Sequence, residues 1–223
     1  MTKQFEQDLD ILKQTLLRMA AKAESMIHYS IQELVQRNPE LAVEIPTLEE
    51  DVNSLQLEVD DRASKLLALR QPMAHDLRFI IAAMKISSDL ERIADQAINI
   101  TQNTRILLLY PEVKPLIDIP KMAEISKQML RDALDAFVQG DAAKARDVVM
   151  RDDQVDHLKS EVIRELEAMM MTDPTIIKPS LQLVLVARNL ERIADHATNI
   201  AEDVVYLVEA KDIRHHAEEK EHR

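Results

Sequence analysis

Cysteine and tryptophan are absent from this 223-residue chain, and Gly140 is its only glycine. Without cysteine there is no disulfide, no thiolate metal site and no thiol nucleophile. A single glycine and 3% aromatic content argue against sheet, because strands and tight turns draw on aromatic and β-branched side chains and on glycines with positive φ. Positive charge is also short, with 28 Lys and Arg against 40 Asp and Glu and a formal charge of -12. Such a surface repels phosphate backbones, so direct nucleic-acid binding is not expected. No apolar run is long enough to cross a bilayer, and Met1 to Asp10 has no apolar signal core. A soluble cytoplasmic protein is the expectation.

What the chain does contain is 46% hydrophobic residues, mixed with Glu, Arg and Lys in the proportions of helix formers. The fold class predicted is all-α. The peptide Leu-Glu-Arg-Ile-Ala-Asp occurs at Leu90 to Asp95 and again at Leu190 to Asp195, and each copy runs on to Asn-Ile at Asn99 and Asn199. A repeat of that length, one hundred residues apart, indicates two copies of one unit.

Prolines punctuate the units. One helix is predicted from Phe5 to Arg37. Asn38-Pro39 and Pro46-Thr47 with Glu50 both resemble helix starts, the latter a capping box. A second helix then runs to Leu69 and a third from Pro72 to Leu109. Tyr110 to Pro120 holds three prolines and marks the boundary, giving domains 1–112 and 113–223. After it the cycle restarts with Lys121 to Gln139, a stop and new cap at Gly140-Asp141, Arg151 to Met171, a break at Thr172-Asp173-Pro174, and a last helix from Pro179 to Ala210.

Leu183, Val186, Leu190, Ile193, Ala197, Ile200, Val204 and Leu207 step by three and four, as a helix packed lengthwise on its neighbours requires. One hundred residues earlier the same positions are Ala83, Ile86, Leu90, Ile93, Ala97, Ile100, Thr104 and Leu107, and only Thr104 is polar. The pattern predicts two tandem three-helix bundles with six main helices, joined end to end or side by side.

Glu91, Asp95 and Asn99 fall at i, i+4 and i+8, on a helix face away from that seam. Like charges at i and i+4 destabilise an isolated helix, yet Glu191, Asp195 and Asn199 repeat the arrangement. A second helix in each unit adds Glu49 with Asn53, and Asp152 with Asp156, again at i, i+4. Both pairs stand before matched apolar steps, Val52, Leu55 and Val59 against Val155, Leu158 and Val162. Oxygen ligands from two helices suit iron, manganese, magnesium or calcium. The competing interpretation is an acidic solvated face paired with Arg92, Arg192, Lys85 or Arg188.

The histidines add less. His196 lies about 100° around the helix from Asp195 and only the second unit has it, so a shared metal role is not expected. His28, His75 and His157 are isolated. No Glu-x-x-His on a helix supports a di-iron oxidase. The tail from Lys211 to Arg223 carries three histidines among charges and is expected to fray. Met169, Met170 and Met171 are expected to fill core or end a helix. No exposed apolar face stands out.

Gln71-Pro72-Met73-Ala74-His75-Asp76-Leu77-Arg78 leads into the first acidic motif, and the second copy follows a unit later. With these, and with Asp212-Ile213-Arg214-His215 near the end, nearly the whole chain resembles the PhoU family of bacterial phosphate regulators. The resemblance implies two three-helix bundles related by pseudo-twofold symmetry and a regulator, not an enzyme. It implies an adaptor that acts when phosphate is plentiful, linking the ATPase subunit of the high-affinity phosphate transporter to a sensor histidine kinase and restraining the starvation response. It further implies metal on the acidic motifs, as iron or zinc clusters, with magnesium or manganese as alternatives, and frequent oligomers, a homodimer being the expected one. Carried onto this chain, the metal-binding positions are Glu49, Asn53, Glu91, Asp95, Asp152, Asp156, Glu191 and Asp195, and Asn53 departs from an acid. Two other classes compete: a carboxylate-bridged metalloenzyme, which would need a base and an open coordination position, and a metal-free helical scaffold.

Overall fold

The computed structural model describes residues 3–214. Six long helices follow one another: α1 Lys3–Gln36, α2 Ile45–Arg70, α3 His75–Leu107, α4 Asp118–Gln139, α5 Ala142–Thr172 and α6 Ile177–Glu209. Short 3₁₀ turns occupy Pro39–Ala42 and Pro174–Ile176, and there is no strand among the described residues. Helices α1 to α3 pack mutually as one bundle and α4 to α6 as another.

The seam is the reason. All sixteen of its positions on α3 and α6 are buried, as are Val52, Leu55 and Val59 on α2 and Val155, Leu158 and Val162 on α5. Leu90 and Leu190 have no exposed surface, and truncating either to alanine would cost about 2–5 kcal/mol. The polar exception, Thr104, is buried too. Its hydroxyl, that of Thr101 and both carboxylate oxygens of Glu33 lack a partner in good hydrogen-bond geometry.

Several helix ends differ from the sequence reading. Helix α5 begins at Ala142, not Arg151, because the Asp141 side chain accepts from Lys144 N at 3.0 Å and nucleates the helix directly. Its first turns bury only Ala145 and Val148, too few apolar steps to show a period. Gly140 ends α4 at φ +66, the left-handed turn that glycine enters without strain. The expected capping box at Thr47 does not form: α2 starts at Ile45, and Thr47 already lies within it. Asn38 does cap, but only the 3₁₀ turn, through Glu40 N at 3.1 Å. Pro72 stands outside α3, which starts at His75 after Gln71 and Ala74 take positive φ. Pro179 falls inside the first turn of α6, where its missing N–H has no intrahelical acceptor to lose.

The bundles join through α3 and α6, the most extensive contact between any two helices. The two run antiparallel. Arg78 Nε donates to the Leu207 carbonyl at 3.2 Å, Lys85 Nζ meets Asp203 Oδ1 at 2.7 Å, and His196 Nδ1 donates to Asp89 Oδ1 at 2.8 Å. At the flank, Arg131 of α4 reaches Glu24 of α1 at 2.7 Å. No helix among the described residues is long and apolar enough to cross a membrane.

Candidate functional site

Each acidic motif sits near the midpoint of the inner helix of its bundle, where the seam turns Leu90, Ile93 and Ala97, or Leu190, Ile193 and Ala197, into the core. The intervening positions are left on the rim facing the second helix. In the first bundle Glu91 is half-buried, with 22% of its side chain exposed, and Asp95 is more open at 39%. Burial raises the pKa of Glu91, and the charges of Asp95 and Glu49 raise it further against the opposing pull of Arg92 and His196. Glu49 on α2 is raised in the same way, by burial and then by Asp95 and Glu50. Glu49, Glu91 and Asp95 thus feel one another's charge across the α2–α3 interface. Asn53 lies one turn further along α2, exposed.

The second bundle repeats the grouping with more charge. Asp152 is raised by burial, then by Asp156 and Glu191, while the Thr198 hydroxyl opposes. Asp195 remains open to solvent, but the helices beside it displace part of its hydration. That loss, with the charges of Glu191, Asp152 and Asp156, lifts its pKa to about 6. Carboxylates from α5 and α6 thus repel one another, the state a bound cation would relieve.

Lys159 partly fills that role. Its ammonium lies 2.7 Å from Asp156 and 2.9 Å from Glu191, and these bonds raise its pKa despite the burial that opposes them. The matching position on α2 is Gln56, beside Asn53 instead of Asp156. The first face therefore carries three carboxylates beside Arg92, and the second carries four with one ammonium.

The basic residues weighed as partners behave unequally. Arg92 approaches Glu91 and Asp95 at 3.6 Å each, with 60% of its side chain exposed, a weak arrangement. Lys85 serves Asp203 instead. Arg188 and Arg192 are exposed and make no ion pair with any described residue. The eight sequence-predicted residues therefore fall into two separate groups, Glu49, Glu91 and Asp95 with Asn53 alongside, and Asp152, Asp156, Glu191 and Asp195. Among the described residues no three His, Asp or Glu side chains stand close enough around one point to enclose an ion as they are. The donor chemistry fits a hard cation nonetheless, since the carboxylates of each face offer oxygen ligands and Arg92 and Lys159 compensate their charge only in part.

Sequence reasoning missed the junction. His196, set aside as unrelated to the motif, ties the two bundles through Asp89, and Asn199 adds a bond to the same carboxylate at 3.3 Å. The signal was present: Asp89 and His196 in one pair of positions correspond to Asn189 and Gln96 in the other, a coupled exchange. Also missed are apolar rows that stay exposed, Ile177, Leu181 and Leu185 on α6 and, at matching places, Leu77 and Ile81 on α3. Of the three methionines, Met171 is 87% exposed at the end of α5. The tail histidines His215, His216 and His222 lie outside the described residues.

Comparison with known proteins identifies the repeat. The PhoU domain matches twice, over residues 16–104 and 119–204. The chain is 38% identical over 211 residues to the phosphate-specific transport system accessory protein PhoU homolog of Zymomonas mobilis, spanning 95% of this chain and 89% of that one. It is also 38% identical to the homolog of Aquifex aeolicus, over 96% of this chain and 97% of the other. The crystal structure of PhoU from Pseudomonas aeruginosa superposes with a TM-score of 0.90 at 34% identity, over 93% of this chain and all of that one. The phosphate transport system regulatory protein PhoU from Streptococcus pneumoniae gives 0.85 at 29% identity, over 93% and 98%.

Proposed function

The chain belongs to the PhoU family, and we propose that it is a cytoplasmic accessory regulator of phosphate transport that restrains uptake and starvation signalling when phosphate is plentiful. The family is one of non-enzymatic accessory proteins, so no catalytic step is assigned. The finer reading is an adaptor between the ATPase subunit of a phosphate transporter and a sensor histidine kinase, working as a homodimer. Exposed apolar rows on α3 and α6 support a role in protein contact.

The observation that carries the site is the doubled, mutually repelling carboxylate face. Glu49, Glu91 and Asp95, with the Asn53 amide, would hold one cation or cluster. Asp152, Asp156, Glu191 and Asp195 would hold another. The bound metal, iron or zinc first and magnesium or manganese otherwise, would supply charge neutralisation and a fixed geometry for these surfaces. The side chains themselves do two things. Their like charges favour a cation at each face, and in the second face the Lys159 ammonium holds Asp156 and Glu191.

Deletion of the gene tests the regulatory reading: starvation genes should be expressed at high phosphate in the deletion strain, and unchanged expression and uptake would refute it. Metal analysis tests the site separately. Protein purified without chelator should carry metal, and a variant with Glu91→Ala, Asp95→Ala, Glu191→Ala and Asp195→Ala should lose it. Equal content in both would remove the site assignment and leave a metal-free scaffold.

A further inference from the structure

The end of the α3–α6 junction where α6 begins and α3 finishes is free of acid. Ile177 to Leu190 and Gln96 to Tyr110 contain no Asp or Glu, in a chain that has 40. The charges they carry are Lys178, Arg188 and Arg105, all exposed, and none forms an ion pair with a described residue. The nearest carboxylates along the chain, Asp95, Glu112, Asp173 and Glu191, stand outside both stretches. Thr175 donates to Asp173, and Lys159 holds Glu191. The opposite end of the junction differs at equivalent places: it has Asp89, Glu202 and Asp203 where the acid-free end has Asn189, Gln102 and Asn103.

The same end bares aliphatic side chains. Ile177, Leu181 and Leu185 follow at i, i+4 and i+8, so they share one strip of α6, about 12 Å long at 1.5 Å per residue, and they are 41%, 48% and 42% exposed. Arg188 continues the strip. The antiparallel register set by Lys85 with Asp203 and by Asp89 with Asn199, carried on to the end of α3, sets Ile106 beside Leu181 and Leu109 beside Ile177. These two are 41% and 79% exposed. Arg92 and Gln96 of α3 line one groove with Arg192 of α6, so the outer rows of the two helices face the same side.

Two outward rows on packed helices leave a trough between them, the shape that accepts a third helix. Aliphatic surface rimmed by unpaired cations is complementary to aliphatic side chains flanked by carboxylates. An anionic bilayer offers both groups as well, but the strip is narrow and the chain's charge of -12 opposes its approach to anionic lipid. We propose that this acid-free end docks an amphipathic, acid-flanked helix of a partner protein, with the partner's aliphatic side chains on Ile106, Leu181 and Leu185 and its carboxylates on Arg105, Lys178 and Arg188. The inference rests on the reading of the exposed rows as protein-contact surfaces; it adds which end is used and what charge the partner brings.

The test is fluorescence anisotropy of the full chain with a labelled synthetic helix that has leucines at i, i+3, i+4 and i+7 and glutamates on both flanks. Two control peptides accompany it, one with lysine in place of glutamate and one with the leucines moved off the face. Saturable one-to-one binding of the acidic peptide is expected, with both controls at least tenfold weaker. Leu181→Ser with Leu185→Ser, and separately Lys178→Glu with Arg188→Glu, should each weaken it at least tenfold, with folding checked by circular dichroism. Leu77→Ser with Ile81→Ser, at the opposite end, should leave it unchanged. No binding of the acidic peptide, equal binding of the lysine peptide, or binding that ignores the substitutions at this end overturns the inference. So does binding of the native chain to phosphatidylglycerol vesicles that the Leu181→Ser, Leu185→Ser variant loses, since the end would then be a membrane contact. Self-association lost in that same variant also overturns it, by making the end a subunit interface. The regulatory reading stands or falls separately, on the gene deletion.

Discussion

Asp89 in the first bundle accepts a hydrogen bond from Nδ1 of His196 in the second at 2.8 Å, and the counterparts of these residues, Asn189 and Gln96, are uncharged amides. The junction is therefore symmetric in backbone and asymmetric in charge. His196→Ala leaves Asp89 with the longer Asn199 bond at 3.3 Å, and should cost about 1–2 kcal/mol of stability. His196→Gln, the residue at the matching position, should recover part of the loss. Urea unfolding of both variants measures this, and equal midpoints for His196→Ala and the native chain would contradict it.

Glu33 is buried on α1 with neither oxygen in a well-formed hydrogen bond. Burial raises its pKa, outweighing the Arg105 charge and the Thr101 hydroxyl. An acid raised in the folded state destabilises the fold once ionised, so the penalty is absent below its unfolded value of 4.5 and complete above its folded one. Glu33→Gln should therefore stabilise the protein on the order of 1 kcal/mol at pH 8, with the advantage shrinking toward pH 5. A variant less stable than the native chain at pH 8 would show that the carboxylate is needed ionised.

Asp195, raised to about 6 from 3.8, predicts opposite effects with and without metal. In chelated protein, stability should fall as pH rises from about 4 to about 6, because the folded state holds the extra proton across that window. Asp195→Asn removes the penalty and should raise the thermal midpoint by an amount worth on the order of 1 kcal/mol or less, since solvent screens an exposed group. With saturating Mg²⁺ the order should reverse, because ligand binding stabilises only the chain that can bind. The same ranking in both buffers would count against the cation face.

Lys159 competes for the carboxylates that a cation would use. Lys159→Gln gives the second face the residue found at Gln56 and removes one positive charge. Mn²⁺ affinity at that face should rise severalfold in calorimetric titration. Unchanged or weaker binding would mean that the ammonium is a permanent part of the site.

Much of this was legible in the residues because the inner helices are strictly periodic: every seam position from Leu183 to Leu207 and from Ala83 to Leu107 is buried. The acidic groups were legible too, since i, i+4 spacing fixes a face. Helix starts were less so. Asp141 nucleates α5 across a stretch with only Ala145 and Val148 inside, and Pro72 was read as a helix start although two positive-φ residues flank its loop. What the periodicity could not carry was the relation between bundles. Antiparallel contact of α3 with α6 brings Arg92, Arg192 and Gln96 into one groove, and no local pattern records which residues of two distant helices will face each other.

The proposed role is restraint of the phosphate-starvation response through the carboxylate faces. The most direct measurement is a starvation-gene reporter at high phosphate in a strain lacking the gene, complemented either with the native chain or with the variant carrying Glu91→Ala, Asp95→Ala, Glu191→Ala and Asp195→Ala, each at matched protein level. The native chain should restore repression and the variant should not. Repression by the variant equal to that of the native chain would contradict the account.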